Sequence, residues 1–153
     1  MNAKVILNDE VYHEKGFRIA TDQELLDFDF IYKFLNQESY WAKGIPEEKL
    51  KTAIQESTCF GIFHLQEQIG FARVISDKST FGYLADVFII SKYRKLGLSK
   101  WLLQTILAYP DFKLLRRWLL ATADAHELYH KFGFEPLNSP DRFMQIFTPY
   151  QKT

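Results

Sequence analysis

The stretch from residue 82 to residue 103, GYLADVFIISKYRKLGLSKWLL, decides the fold. Its first part, GYLADVFII, is almost continuously apolar with Asp86 as its only charge, the pattern of a central strand covered by helices on both faces. After the turn SKYRKLG the period changes. Leu98, Trp101, Leu102 and Ile106 share one helical face, and the helix stops before Pro110. A strand that turns sharply into a helix at Gly97 is suited to binding anions, because the first helical turn has unpaired backbone N–H groups and the helix dipole adds positive potential. Gly97 and the small Ser99 allow close approach, while Arg94, Lys95 and Lys100 add charge without a Walker lysine or a metal. Taken alone, the segment is better read as a permissive turn beside a solvated basic face.

Working outward, the elements alternate in type. Gly16 to Ala20 read as a first strand, and Thr21 with Glu24 forms a capping box for a helix bearing Leu25, Phe28, Ile31, Tyr32 and Leu35 on one face. The polar-aromatic loop ESYWAKGI leads to Pro46 as a first helical residue, followed by Leu50, Ala53 and Ile54 on the apolar side of a second helix. CFGIFHL and QIGFARVIS read as antiparallel strands joined by a tight turn, and RRWLLATA as a further buried strand. Asp124 and Glu127 make a second capping box, Gly133 a stop, and RFMQIFT a closing strand. The expected fold class is therefore α/β, a mixed and mostly antiparallel sheet flanked by helices in the order β-α-α-β-β-β-α-β-α-β.

The 153 residues, 47% hydrophobic and with no linker or repeat, fit one domain over the whole chain. Nineteen basic residues balance nineteen acidic ones, so no overall field favours nucleic acid or an anionic membrane. No apolar run approaches a membrane span and the N-terminal MNAKVILNDE has no export signal, which places the protein as soluble and cytoplasmic. Cys59, the sole cysteine, excludes an internal disulfide and a multi-cysteine zinc site, and it reads as a small strand residue.

YRKLGLSKWL resembles the R/Q-x-x-G-x-G/A signature of the GCN5-related N-acetyltransferase (GNAT) superfamily, with Arg94 and Gly97 matching and Ser99 in place of the final small residue. TADAHELYHKFGF resembles the superfamily's N-x-x-A-x-x-L-Y-x-x-x-G-F segment through Ala125, Leu128, Tyr129, Gly133 and Phe134, with Thr122 where asparagine is usual. The two motifs together carry the resemblance, which spans about Gly16 to Thr148 in element order.

The resemblance implies acetyl transfer from acetyl-coenzyme A to a primary amine, in a ternary complex and without metal. It implies a strand edge at Val87, Phe88 and Ile89 that pairs with the pantetheine arm, and amides from Lys95, Leu96, Gly97, Leu98 and Ser99 that hold the pyrophosphate, with Lys100 beside them and Thr122 as a further contact. Amides near Phe88 would steady the oxyanion, and Tyr129 would protonate the departing sulfur as general acid, its other reading being a core tyrosine. Asp86 would attract the amine or relay its proton, or else serve as a structural carboxylate paired with Arg73. Tyr40 and Trp41 would wall the acceptor pocket or plug the loop. The acceptor is a small or peptide amine, and the closing strand pairs within a monomer or across a homodimer.

Two other readings come from different classes. His126-Glu127-Leu128-Tyr129-His130 matches H-E-x-x-H, the pattern of a zinc-dependent hydrolase, but it lacks a third ligand, and the capping box and the acetyltransferase pattern account for Glu127 and Tyr129. A non-catalytic acyl-coenzyme A sensor or interaction module is the second, and the presence of Tyr129 argues against it. Arg116, Arg117 and Trp118 lack the aromatic and glycine pattern of an RNA-binding sheet.

Overall fold

A computed structural model of the chain describes residues 8–150. The order is α1 (Asp9–Glu14), β1 (Phe17–Ala20), α2 (Phe28–Lys33), α3 (Glu47–Gln55), β2 (Thr58–His64), β3 (Glu67–Ser76), β4 (Phe81–Ile89), α4 (Leu98–Leu107), β5 (Arg117–Leu119) and α5 (His126–His130). The five strands form one open sheet in the order β1-β2-β3-β4-β5, antiparallel except for the parallel pair β4–β5. This is the expected α/β architecture. Among the described residues no helix is long and apolar enough to cross a membrane.

The sheet is buried on both faces, as the apolar run in β4 predicts. One face packs Phe60, Ile62, Val74 and Leu84 against Trp101, Leu102 and Ile106 of α4. The other packs Cys59, Phe71 and Phe88 against Ile31 and Leu35 from the α2 region and Leu50 and Ile54 of α3. Burial raises the Cys59 thiol to about 12, which leaves it protonated and inert at neutral pH.

Several local expectations change. The helix expected from Thr21 is split in two. Asp22 accepts from Glu24 N–H to cap a short 3-10 turn, and Asp27 accepts from Phe30 N–H to start α2 six residues later than Thr21 suggests. Aspartate is as good an N-cap as threonine, and the extended backbone at Leu26 separates the two turns. Pro46 is the N-cap of α3 and not its first residue. Asp124 does not cap α5: the N-cap is Ala125, which has no side-chain capping bond, and Thr122 Oγ1 accepts from Ala125 N–H at 3.1 Å in the turn before the helix. RRWLLATA pairs only over Arg117–Leu119. The closing strand RFMQIFT is absent: residues 143–150 have no regular structure, and Met144 and Ile146 are 97% and 101% exposed. A strand pattern becomes a strand only by joining a ladder, and this segment pairs with none of the five strands. An additional helix, α1, stands before β1, with Tyr12 stacked on Trp101 at 4.5 Å.

Where β3 crosses β2 and β4, Gly70 is closely walled. An added Cβ would meet Ile62, Ile89 Cδ1 at 2.6 Å and the Phe88 carbonyl oxygen at 2.7 Å. Gly70→Ala is expected to lower stability by about 2 kcal/mol through overpacking, as measured by urea denaturation.

Candidate active site

The parallel ladder between β4 and β5 joins only Phe81, Gly82 and Tyr83 to Arg117, Trp118 and Leu119. β4 runs on to Ile89 while the chain after β5 diverges, opening a cleft of about 790 Å³ between Tyr83–Ile89 and Leu120–Ala125. A bulge adds to the divergence: Phe71 faces Phe88 and Arg73 faces Ala85, so Asp86 and Val87 share one partner position. Asp86 takes the left-handed conformation there, φ 55°, which aspartate tolerates better than most residues.

Ladder alternation fixes which backbone groups look into the cleft. Ile90 N–H donates to Ile69 O, so the antiparallel pairing places the Phe88 backbone groups toward β3 and those of Ile89 toward the open edge. Arg94 folds back along this edge and donates from Nε to Ile89 O at 3.0 Å.

At the end of the turn, Lys95 and Gly97 both have positive φ, 65° and 78°, and Gly97 is the N-cap of α4 with no side-chain capping bond. The first amides of α4 are therefore available to a ligand. Tyr12 braces the turn by donating to Gly97 O at 3.4 Å, and its hydroxyl lies 2.8 Å from where a Gly97 Cβ would stand. Asp9 accepts from Trp101 Nε1 at 2.6 Å and ties α1 to the same place. The sequence gives no sign of Tyr12 or Asp9, which act from far along the chain.

The expected site residues divide into three groups. Arg94, Ser99, Thr122 and Tyr129 line the cleft with Val87, Phe88 and Ile89. Tyr40, Trp41, Arg73 and Asp86 line it further along. Lys95, Leu96 and Lys100 present their side chains to solvent and Leu98 is buried in the core, so these four offer the cleft backbone amides at most.

Asp86 is fully engaged. Its Oδ2 accepts from Arg73 Nε at 2.9 Å, its Oδ1 accepts from Trp41 Nε1 at 2.9 Å, and Arg73 also donates to Ser57 Oγ at 3.1 Å. This is the Arg73 pairing that the sequence offers as the structural reading of Asp86. Across the cleft, Tyr40 accepts from Ala123 N–H at 3.0 Å, linking the α2–α3 loop to the chain after β5. Burial, with the nearby Tyr40 and Asp124 adding to it, raises the Tyr129 phenol to about 12. Gly133, φ 96°, ends α5, and Tyr129 O accepts from Phe134 N–H.

His126 and His130 are exposed, and His130 Nδ1 lies 3.2 Å from Phe134 O. Among the described residues no three His, Cys, Asp or Glu side chains gather in a group able to hold a metal ion.

The splayed strands, the glycine-capped helix and the half-buried Tyr129 stand along one cleft, in the places the sequence resemblance implies. The family model for the acetyltransferase (GNAT) family matches residues 28–134. The chain belongs to the GNAT family. A crystallised GNAT-family protein of Xanthomonas campestris pv. campestris is 45% identical, with a TM-score of 0.85 over 88% of this chain and 94% of that one. A Gibberella zeae protein, named provisionally as an acetyltransferase, is 32% identical across 75% of this chain and 76% of its own length. A GNAT acetyltransferase of Elizabethkingia anophelis, solved with acetyl-coenzyme A bound, shares the fold at 14% identity, with a TM-score of 0.61 over 88% of this chain and 90% of that one. As a GNAT member the chain is an acetyl-coenzyme A-dependent acyltransferase.

The Arg73–Asp86 pair organises this GNAT cleft, with side-chain exposures of 15% and 7%. Arg73→Ala strands the buried carboxylate and is expected to cost about 3 kcal/mol. Chemical denaturation checks this, with Asp86→Asn in the Arg73→Ala background recovering part of the loss.

Proposed function

We propose that the protein transfers acetyl from acetyl-coenzyme A to a primary amine by direct attack, with Tyr129 as the general acid. The observation that carries the reading is the open β4 edge ending at a glycine-capped helix, with a buried phenol across the same cleft. Bound acetyl-coenzyme A supplies a thioester, whose carbon–sulfur bond breaks as the nitrogen–carbon bond forms.

The chain's own groups do the rest. Edge groups of Val87 and Ile89 take an extended arm as a strand takes a neighbour. Amides at the start of α4, with Arg94 near them, hold a diphosphate. The expectation that amides near Phe88 steady the oxyanion narrows to Val87 and Ile89, because Phe88 pairs with β3. Tyr129 keeps its proton at neutral pH and can give it to the departing sulfur, while the nitrogen's proton leaves to water at the open mouth. Asp86 serves this scheme as an anchor for Trp41 and Arg73, keeping the aromatic acceptor wall in place, with both its oxygens already accepting hydrogen bonds.

Tyr129→Phe is expected to lower kcat by about 100-fold while the acetyl-coenzyme A dissociation constant stays nearly constant. Thiol release and calorimetric titration measure the two quantities. In the parent enzyme the raised phenol pKa keeps the acid protonated, so activity is expected not to fall through loss of this proton as pH rises through the ordinary tyrosine range near 10, as a pH–rate profile checks. Unchanged turnover in the variant removes Tyr129 from the mechanism.

A further inference from the structure

The chain does not end its contact with the cleft at Tyr129. From Phe143 to Tyr150 it carries no regular structure, and the Phe143 ring lies under the Arg117 guanidinium, 5.4 Å from its centre. Met144, Ile146 and Phe147 then stand in solvent, 97%, 101% and 75% exposed. Tyr150 reverses the trend. It falls to 37% exposure and lines the same cleft as Arg73, Asp86 and Trp41. The exposed run is therefore fastened at both ends, by Phe143 near β5 and by Tyr150 in the cleft.

We propose that Tyr150 is an acceptor-binding residue: its ring, together with Trp41, forms an aromatic slot that selects amines borne on a flat aromatic body. The inference rests on the acetyl-transfer reading above and adds the acceptor class to it.

Three observations support it. Trp41 is fixed by its bond to Asp86 and touches Tyr40 edge-on at 5.1 Å, so one side of the acceptor end is already aromatic and rigid. Phe34, at 6.4 Å from Trp41, extends that wall inward and stacks on Phe88 at 3.8 Å. Tyr150 approaches the same Asp86–Arg73 pair. Burial pushes its phenol above the ordinary tyrosine range, with the Asp86 carboxylate adding to the shift and Arg73 opposing it. An amine entering between the two rings buries its carbon body against them. Rings fixed by few rotatable bonds give such contact at small entropic cost. Tyr150 reaches the acceptor end, while the turn at Gly97 and the Val87–Ile89 edge serve the donor end, so its loss bears on one substrate alone.

The test is steady-state thiol release from acetyl-coenzyme A with a panel of arylalkyl amines, polyamines and amino sugars, alongside calorimetric titration of acetyl-coenzyme A. Tyr150→Ala is expected to raise KM for arylalkyl amines about tenfold, with a smaller rise for the polar amines and a donor dissociation constant within about twofold of the parent. Tyr150→Phe, which keeps the ring, restores the low KM. A parent enzyme that turns over amines while Tyr150→Ala leaves their KM values unchanged overturns this proposal alone. A Tyr150→Ala variant with higher kcat/KM for every amine also overturns it, because the residue would then be an obstruction. Failure of the parent to release thiol with any amine, despite binding the donor, overturns the acetyl-transfer reading and the proposal together.

Discussion

The functional architecture depends on the parallel ladder between β4 and β5 stopping at Tyr83 and Leu119. Had it continued, the backbone of Val87 and Ile89 would be satisfied by a neighbouring strand and no cleft would exist. An unpaired strand edge inside a folded protein is costly unless water or a ligand meets its polar groups. Here the bulge at Asp86–Val87 turns the strand, and the short β5 runs into the Thr122–Ala125 turn before α5 instead of following. What remains is a row of main-chain groups suited to an extended ligand, ending where α4 offers further amides.

The second organising element is the Asp86 carboxylate. It sits at a left-handed backbone position, a conformation that costs of order 1 kcal/mol, and uses both oxygens to hold Arg73 and Trp41. One residue thus shapes the strand and holds the Trp41 side chain on the cleft wall. Tyr40 ties the same loop to Ala123 across the cleft, so the two walls are linked by a hydrogen bond and not through packing alone.

Much of this is legible in the sequence, for physical reasons. Near-continuous apolar character identifies β4, a glycine before an amphipathic run identifies the start of α4, and Gly133 marks the end of α5 correctly because its positive φ demands glycine. Local signals fail where two residues offer the same chemistry or where a partner is missing. Thr21 and Asp27 are both competent caps, and tertiary packing selects the second. RFMQIFT has a strand pattern with no adjacent ladder. Tyr12 and Asp9 brace the Gly97 turn from the other end of the chain, and Tyr150 enters the cleft after an exposed run, so no spacing rule reveals them.

The central claim is that the open β4 edge and the amides entering α4 together form the acetyl-coenzyme A site. Amide hydrogen exchange read by mass spectrometry, with and without acetyl-coenzyme A, tests it most directly. Slowed exchange is expected in Val87 to Ile89 and in Lys95 to Ser99, with β1 and β2 unchanged. Binding without protection in either segment, or with protection confined to the opposite edge of the sheet, would contradict it.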